Sequence, residues 1–218
     1  CKFSVLSMAN DECDRSVAGN IGTQNAVGGA KRDKDAVASF VEAYGLGENK
    51  KLINEVSFEI NDEGSIYYYS DSNGEVAISG GYVAMNETKV VHMKNNILIN
   101  GNITYQNDGY TNIDQTPKLI IYSEKNIIIG CNVTRIDGVL LAKENVKTCN
   151  SDNINIQMPQ LVINGAVIAG SLTPNRSYGA AQGVNSIVPA EIIDFDPTLY
   201  LWGGTIADDG DDAGGGDD

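Results

Sequence analysis

The sequence predicts a mainly β protein, a right-handed parallel β-helix or solenoid, with an antiparallel β-sandwich as the alternative. Three observations carry that expectation. First, a short apolar phrase recurs: ILINGNITY at 97–105, NIIIGCNVT at 126–134, DGVLLA at 137–142 and LVINGAVIA at 161–169, with a looser copy, VAISGGYVA, at 76–84. Recurrence of this kind implies stacked, similar β units. Second, the runs Leu119-Ile120-Ile121, Ile127-Ile128-Ile129 and Val139-Leu140-Leu141 are continuously aliphatic. Hairpin strands with one wet face alternate instead, so these runs suit strands covered on both sides. Third, the chain holds 24 Gly and only 7% aromatics in 218 residues, which favours many turns between short strands over a large aromatic pocket.

The elements follow in order. Residues 1–30 read as a disulfide-closed loop and a Gly/Asn-rich connector, VAGNIGTQNAVGGA. A helix is predicted over 34–47, because Val37, Phe40, Val41 and Tyr44 form one apolar stripe at i, i+3, i+4 and i+7. Asp33 or Asp35 can cap its start and Gly45 or Gly47 its end. Such a stripe would pack on one sheet face or cap an open core. The region 1–47 is therefore loop, connector and capping helix.

Residues 48–186 form the predicted solenoid core, with strands punctuated by NG, DG and SG steps. Gly81, Gly101, Cys131 and Gly165 are taken as equivalent corners, giving a coil of roughly 20 residues with insertions. Residues 187–204 are the predicted C-terminal cap, IVPAEIIDFDPTLYLW at its heart, with Trp202, Phe195 and Tyr200 as anchors. The helix and this cap are expected at opposite ends of the stack. Residues 205–218 are an acidic Gly/Asp tail.

Four cysteines and a single histidine, His92, with no CxxC, point to two local disulfides in an oxidising compartment, Cys1–Cys13 and Cys131–Cys149. The second would staple neighbouring coils. Cys1 has an alternative reading as a lipid-bearing cysteine exposed by signal cleavage, although KFSVLSM alternates like a strand. The opening at Cys1 is expected to be a processed piece of something longer. The net charge of -14, with six of the excess acids in the last eleven residues, disfavours nucleic acid and anionic membranes. No stretch approaches the roughly 20 apolar residues that span a bilayer.

The opening CKFSVLSMANDEC has the form C-x-x-S-x-L-[ST]-x-A-N-x-x-C, and INGNITY, IIIGCNVTRIDGVLLA, TC, LVINGAVIAG and PAEIIDFDPTLYLW follow in order. That series resembles large secreted cell-surface proteins of candidate phyla radiation bacteria, Saccharibacteria among them, over most of the chain from Cys1 to Trp202. The resemblance implies a bacterial surface protein with a β-solenoid-like module. It brings no catalytic residues, and it gives the acidic tail no role.

For chemistry, Arg135 and Asp137, with Lys143 and Glu144 one short strand later, are the enzyme-like cluster. β-Helix lyases place carboxylates and a basic residue on such a surface, but a solvated turn carries the same residues. No Ser-His-Asp set exists with one histidine, so no catalytic residue is assigned and His92 is expected to be a strand residue. No cofactor is expected unless it is calcium, for which Asp208, Asp209, Asp211 and Asp212 supply hard oxygen donors without EF-hand spacing. Asp194 and Asp196 alternate along a strand and form a second candidate. Sequons at Asn86, Asn102, Asn132 and Asn175 are close to the roughly two or three expected by chance. Lys125 and Lys143 are candidate donors for a buried Lys–Asn isopeptide.

Together these features imply an extracellular structural module of a surface-anchored or filament-forming protein. Its partners would be copies of itself or other surface proteins. The alternatives are an adhesin using the loops at 105–117 and 171–186 to hold glycan or host surface, and a polysaccharide-active enzyme.

Overall fold

In the computed structural model, residues 5–7, 37–106, 111–112, 115–150, 158–176 and 189–202 are described. The fold is mainly β, and every strand pairing is parallel. Parallel pairing throughout excludes the sandwich, whose hairpins require antiparallel neighbours.

The pairings resolve into three ladders that the chain visits in rotation. Ladder one runs β2 (Lys50–Leu52), β4 (Ile66–Ser70), β6 (Thr88–Met93), β9 (Lys118–Ser123), the middles of β11 (Arg135–Lys147) and β12 (Leu161–Thr173), and finally β1 (Val5–Ser7). Ladder two joins β3 (Ser57–Ile60), the start of β5 (Val76–Val83), β7 (Ile97–Ile99), β10 (Ile127–Ile129) and the ends of β11 and β12. Ladder three joins Ile60, the end of β5, β8 (Ile103–Tyr105), the starts of β11 and β12, and β13 (Glu191–Phe195). The first strand in sequence thus pairs with the last circuit in space.

Inward columns explain the continuous apolar runs. Phe58, Ile78, Ile99 and Ile129 stack in ladder two, Val91, Ile121, Leu140 and Val167 in ladder one, and Ile103, Ile136 and Ile163 in ladder three, all buried in one core. Ladder one is apolar on its outer side as well. Val90, Ile120, Val139 and Ala166 form a second buried cluster there, which is why KVVHM and KLIIY do not alternate.

Helix α1 (37–43) covers that outer side with Val37 and Val41 buried and Phe40 and Tyr44 half-buried. Its end is a Schellman motif. Leu46 N donates to Val41 O and Gly45 N to Glu42 O, with Gly45 at φ +62°. Val41 and Leu46 supply the accompanying apolar contact.

Two expectations need correction. Trp202 and α1 do not occupy opposite ends of the stack. Trp202 is buried in the α1 cluster, 6.2 Å from the Phe40 ring, and Tyr44 Oη donates to its carbonyl at 2.5 Å. The outer columns of ladder one are apolar along their length, so cover is needed on the flank, and both segments supply it. Phe195 packs partly against the same cluster, while the Tyr200 side chain lies outside the described residues. Second, the four proposed corners are not equivalent. Gly101 sits against Gly80 and Ser79 between ladders two and three, where Gly130-Cys131 also turns. Gly165 instead pairs with Gly138 between ladders three and one.

Cys131 and Cys149 form a disulfide joining consecutive circuits. Cys1, Cys13 and Asp208, Asp209, Asp211 and Asp212 lie outside the described residues. Lys125 and Lys143 are both exposed, so neither meets the buried-amine condition of an isopeptide. Among the described residues, no helix is long and apolar enough to cross a membrane.

Candidate functional site

Ladder three carries a polar column on its outer side. Asp137 pairs with Asn164, and Asn164 with Asp194, in direct register. Side chains alternate along a strand, so the inward Ile136, Ile163 and Ile193 force these three neighbours outward. Arg135 shares the outer face with Asp137 at i, i+2. Beyond β13 the chain turns into a short 3-10 helix, Pro197–Leu201, whose first turn is capped by the Asp196 carboxylate accepting from Thr198 N at 2.9 Å. That turn forms the opposite wall.

Between the walls lies a cleft of about 460 Å³, lined by Arg135, Asp137, Asn164, Asp194, Asp196 and Thr198, with Tyr105, Thr116, Phe195 and Pro197 around them. Asp137 is fully buried. A buried carboxylate needs partners for both oxygens, and it has them: Arg135 Nε donates to Oδ1 at 2.9 Å, and Tyr105 N to Oδ2 at 2.8 Å. The Arg135 side chain is half-exposed. Asn102 fixes the approach to β11, its Oδ1 accepting from Thr134 N at 2.8 Å and Arg135 N at 3.1 Å. Asp137 therefore holds Arg135 in place, while Asn164 and Asp194 face the space.

Among known proteins, no family model, no curated sequence and no solved structure matches this chain.

Two sequence candidates singled out separately, the Arg135–Asp137 pair and the Asp194–Asp196 pair, converge in this one cleft. Lys143 and Glu144 do not join them. Glu144 sits at the corner of ladders one and two, accepting from Asn126 Nδ2 at 3.1 Å, which leaves Arg135–Asp137 without the predicted basic partner. Asn164 and Thr198 were not singled out from the sequence. Aligning Asn164-Gly165 with Asp137-Gly138 in the repeated phrase would have found the first. Among the described residues, no group of three or more His, Cys, Asp or Glu is placed to hold a metal ion.

A second polar network lies on the outer side of ladder one. His92, in β6 as expected, is buried with Nδ1 2.9 Å from Tyr67 Oη and Nε2 3.0 Å from Glu124 Oε1. Tyr69, His92 and Tyr122 stack in register, and Lys50 Nζ lies 3.8 Å from the Tyr69 ring centroid. Burial, then the charges of Tyr69 and Glu124, pushes the Tyr67 phenol up to about 12. Such a phenol stays protonated near neutral pH and serves as a hydrogen-bonding and packing group rather than a nucleophile.

This has a pH consequence. Between its ordinary value near 10 and its folded value, Tyr67 has lost its proton in the unfolded chain but keeps it in the folded one. Stability is then present below pH 10 and falls as pH rises. Ultraviolet phenolate absorbance is expected to show Tyr67 ionising only with alkaline unfolding, and Tyr67→Phe to remove that component.

Proposed function

We propose that the chain is a right-handed β-solenoid serving as an extracellular structural module of a bacterial surface or filament-forming protein, acting through self-association. The observation that carries this reading is the first circuit. Its edge strand β2 presents Leu52 60% exposed, and Val56, ahead of β3, is 80% exposed. These are the most exposed large apolar side chains described, and both stand where another circuit would stack. By register Leu52 heads the column Tyr69, His92, Tyr122, Leu141 and Ile168, ending at Leu6 of β1. A second copy stacked head to tail would continue every ladder with parallel pairing.

The disulfide supports an oxidising compartment, and the resemblance of the CKFSVLSMANDEC and PAEIIDFDPTLYLW segments supports a bacterial surface. Electron microscopy of the purified chain tests the reading. Uniform fibres are expected, and Leu52→Lys with Val56→Lys is expected to leave monomers. Monodisperse monomers of the unmodified chain at every concentration would sink the proposal.

A further inference from the structure

We infer that the cleft between ladder three and the Pro197–Leu201 turn binds a neutral carbohydrate. This assignment does not rest on self-association: the cleft opens on the outer face of ladder three, and its test reads sugar binding rather than assembly. Of the two loops expected to contact sugar, 105–117 borders the cleft through Tyr105 and Thr116, and large parts of both loops lie outside the described residues.

The donor and acceptor inventory points to the ligand class. Asp194 and the remaining oxygen of Asp196 offer acceptors, the Arg135 guanidinium offers donors, and the Asn164 amide offers both. Thr198 also lines the cleft, and its hydroxyl oxygen is buried with no hydrogen-bond partner among the described residues. A metal ion would want acceptors alone, and Arg135 lies among them. A phosphate, sulfate or uronate would want donors alone, and three carboxylates face one guanidinium here. Hydroxyl groups donate and accept at once, so a neutral polyol can satisfy the whole set.

Phe195 borders the cleft while packing partly against the α1 and Trp202 cluster, which fixes that wall in place. The volume of about 460 Å³ falls in the range of small-ligand sites. A peptide would also bring donors and acceptors, but extended peptides gain affinity by pairing with free strand edges. In the Asp137–Asn164–Asp194 wall the β11 and β12 backbones are paired on both sides and only β13 keeps a free edge among the described residues, so the peptide arm of the test separates edge pairing from binding on the face.

The test uses the intact chain and a panel of neutral oligosaccharides built on glucose, galactose, mannose and N-acetylglucosamine, with acidic oligosaccharides and unstructured peptides alongside. Calorimetry is expected to find saturable binding of at least one neutral oligosaccharide. Asp194→Asn and Asn164→Ala are each expected to weaken it by about tenfold or more, the scale of one lost hydrogen bond to a charged or well-placed polar group. Asp71→Asn, an exposed acid on a distant turn, is expected to bind like the unmodified chain, and circular dichroism confirms that all three variants fold. No saturable binding across the neutral panel overturns the assignment. So does neutral-sugar binding indifferent to both cleft variants, or a preference for acidic sugars or peptides.

Discussion

Gly165→Ala is expected to cost about 4 kcal/mol of unfolding free energy, read as a lowered urea midpoint, a size that single substitutions reach only by a definite mechanism. Two mechanisms coincide here. Gly165 sits at φ +151°, where a side chain is strained whatever the space. An added Cβ would also meet Gly138 O at 2.0 Å and Gly138 C at 2.7 Å. Gly138 is tightly placed as well: it is likewise at positive φ, +130°, and a Cβ added there would meet Leu119 Cβ and O at 2.9 Å. Relief requires parting β11 from β12, the pair that shares the longest register in the fold. Gly64→Ala is the matched control. Its φ is +81° with nothing within 4 Å of the added Cβ, so only the backbone term remains, about 1 kcal/mol.

The comparison of these glycines shows what the chain discloses in one dimension. The strands were legible because local composition determines them, and α1 because Val37, Phe40, Val41 and Tyr44 keep helical spacing. Which strand lies beside which is set by the lengths of intervening insertions. The column Gly81, Ile103, Ile136, Ile163 and Ile193 has uneven spacing. Gly165 was therefore matched to the wrong corner, although the Asp137-Gly138 and Asn164-Gly165 steps announce their own equivalence. The same limit applies to the cleft. Arg135 with Asp137, and Asp194 with Asp196, were each visible as an i, i+2 pair. That they share one cleft, with Asn164 between them, depends on register. Trp202 was legible as an anchor because it is the sole tryptophan beside a proline-rich break. Its place on the flank follows from the outer columns of ladder one, which no single strand reveals.

Register also hid the role of Arg176, which reads as an ordinary loop residue in SLTPNRSYG. Its guanidinium gathers four backbone carbonyls: Nε donates to Thr148 O at 2.7 Å, Nη1 to Val133 O at 2.7 Å and Pro159 O at 3.0 Å, and Nη2 to Gly130 O at 2.8 Å. Glu191 Oε1 completes the charge balance, accepting from Asn175 N and Arg176 N at 3.1 and 3.0 Å. Burial lowers the Arg176 pKa from its ordinary value and Glu191 opposes that shift. Arg176→Ala is expected to cost about 3 kcal/mol, since it takes the shared donor from four carbonyls at once, while Glu191 keeps its backbone donors. Arg176→Lys is expected to recover little, because an ammonium cannot reach carbonyls on both sides of a planar fork.

Gly130 and Thr148 flank Cys131 and Cys149, so Arg176 and the disulfide hold the same two segments together. Opening the disulfide as Cys131→Ala with Cys149→Ala is expected to cost about 3 kcal/mol for a loop of this length. The combined variant separates two accounts of that cost. If the bond acts only by restricting the unfolded chain, it is indifferent to Arg176 and the two effects add. If it acts in the folded protein by keeping 130–133 against 148–149, loss of Arg176 already frees the segment, and removing the bond then costs less. The shared carbonyls favour the second account. A double-mutant cycle in urea is expected to fall short of additivity by about 1 kcal/mol, and agreement with additivity to within about 0.5 kcal/mol would return the disulfide's effect to the unfolded chain.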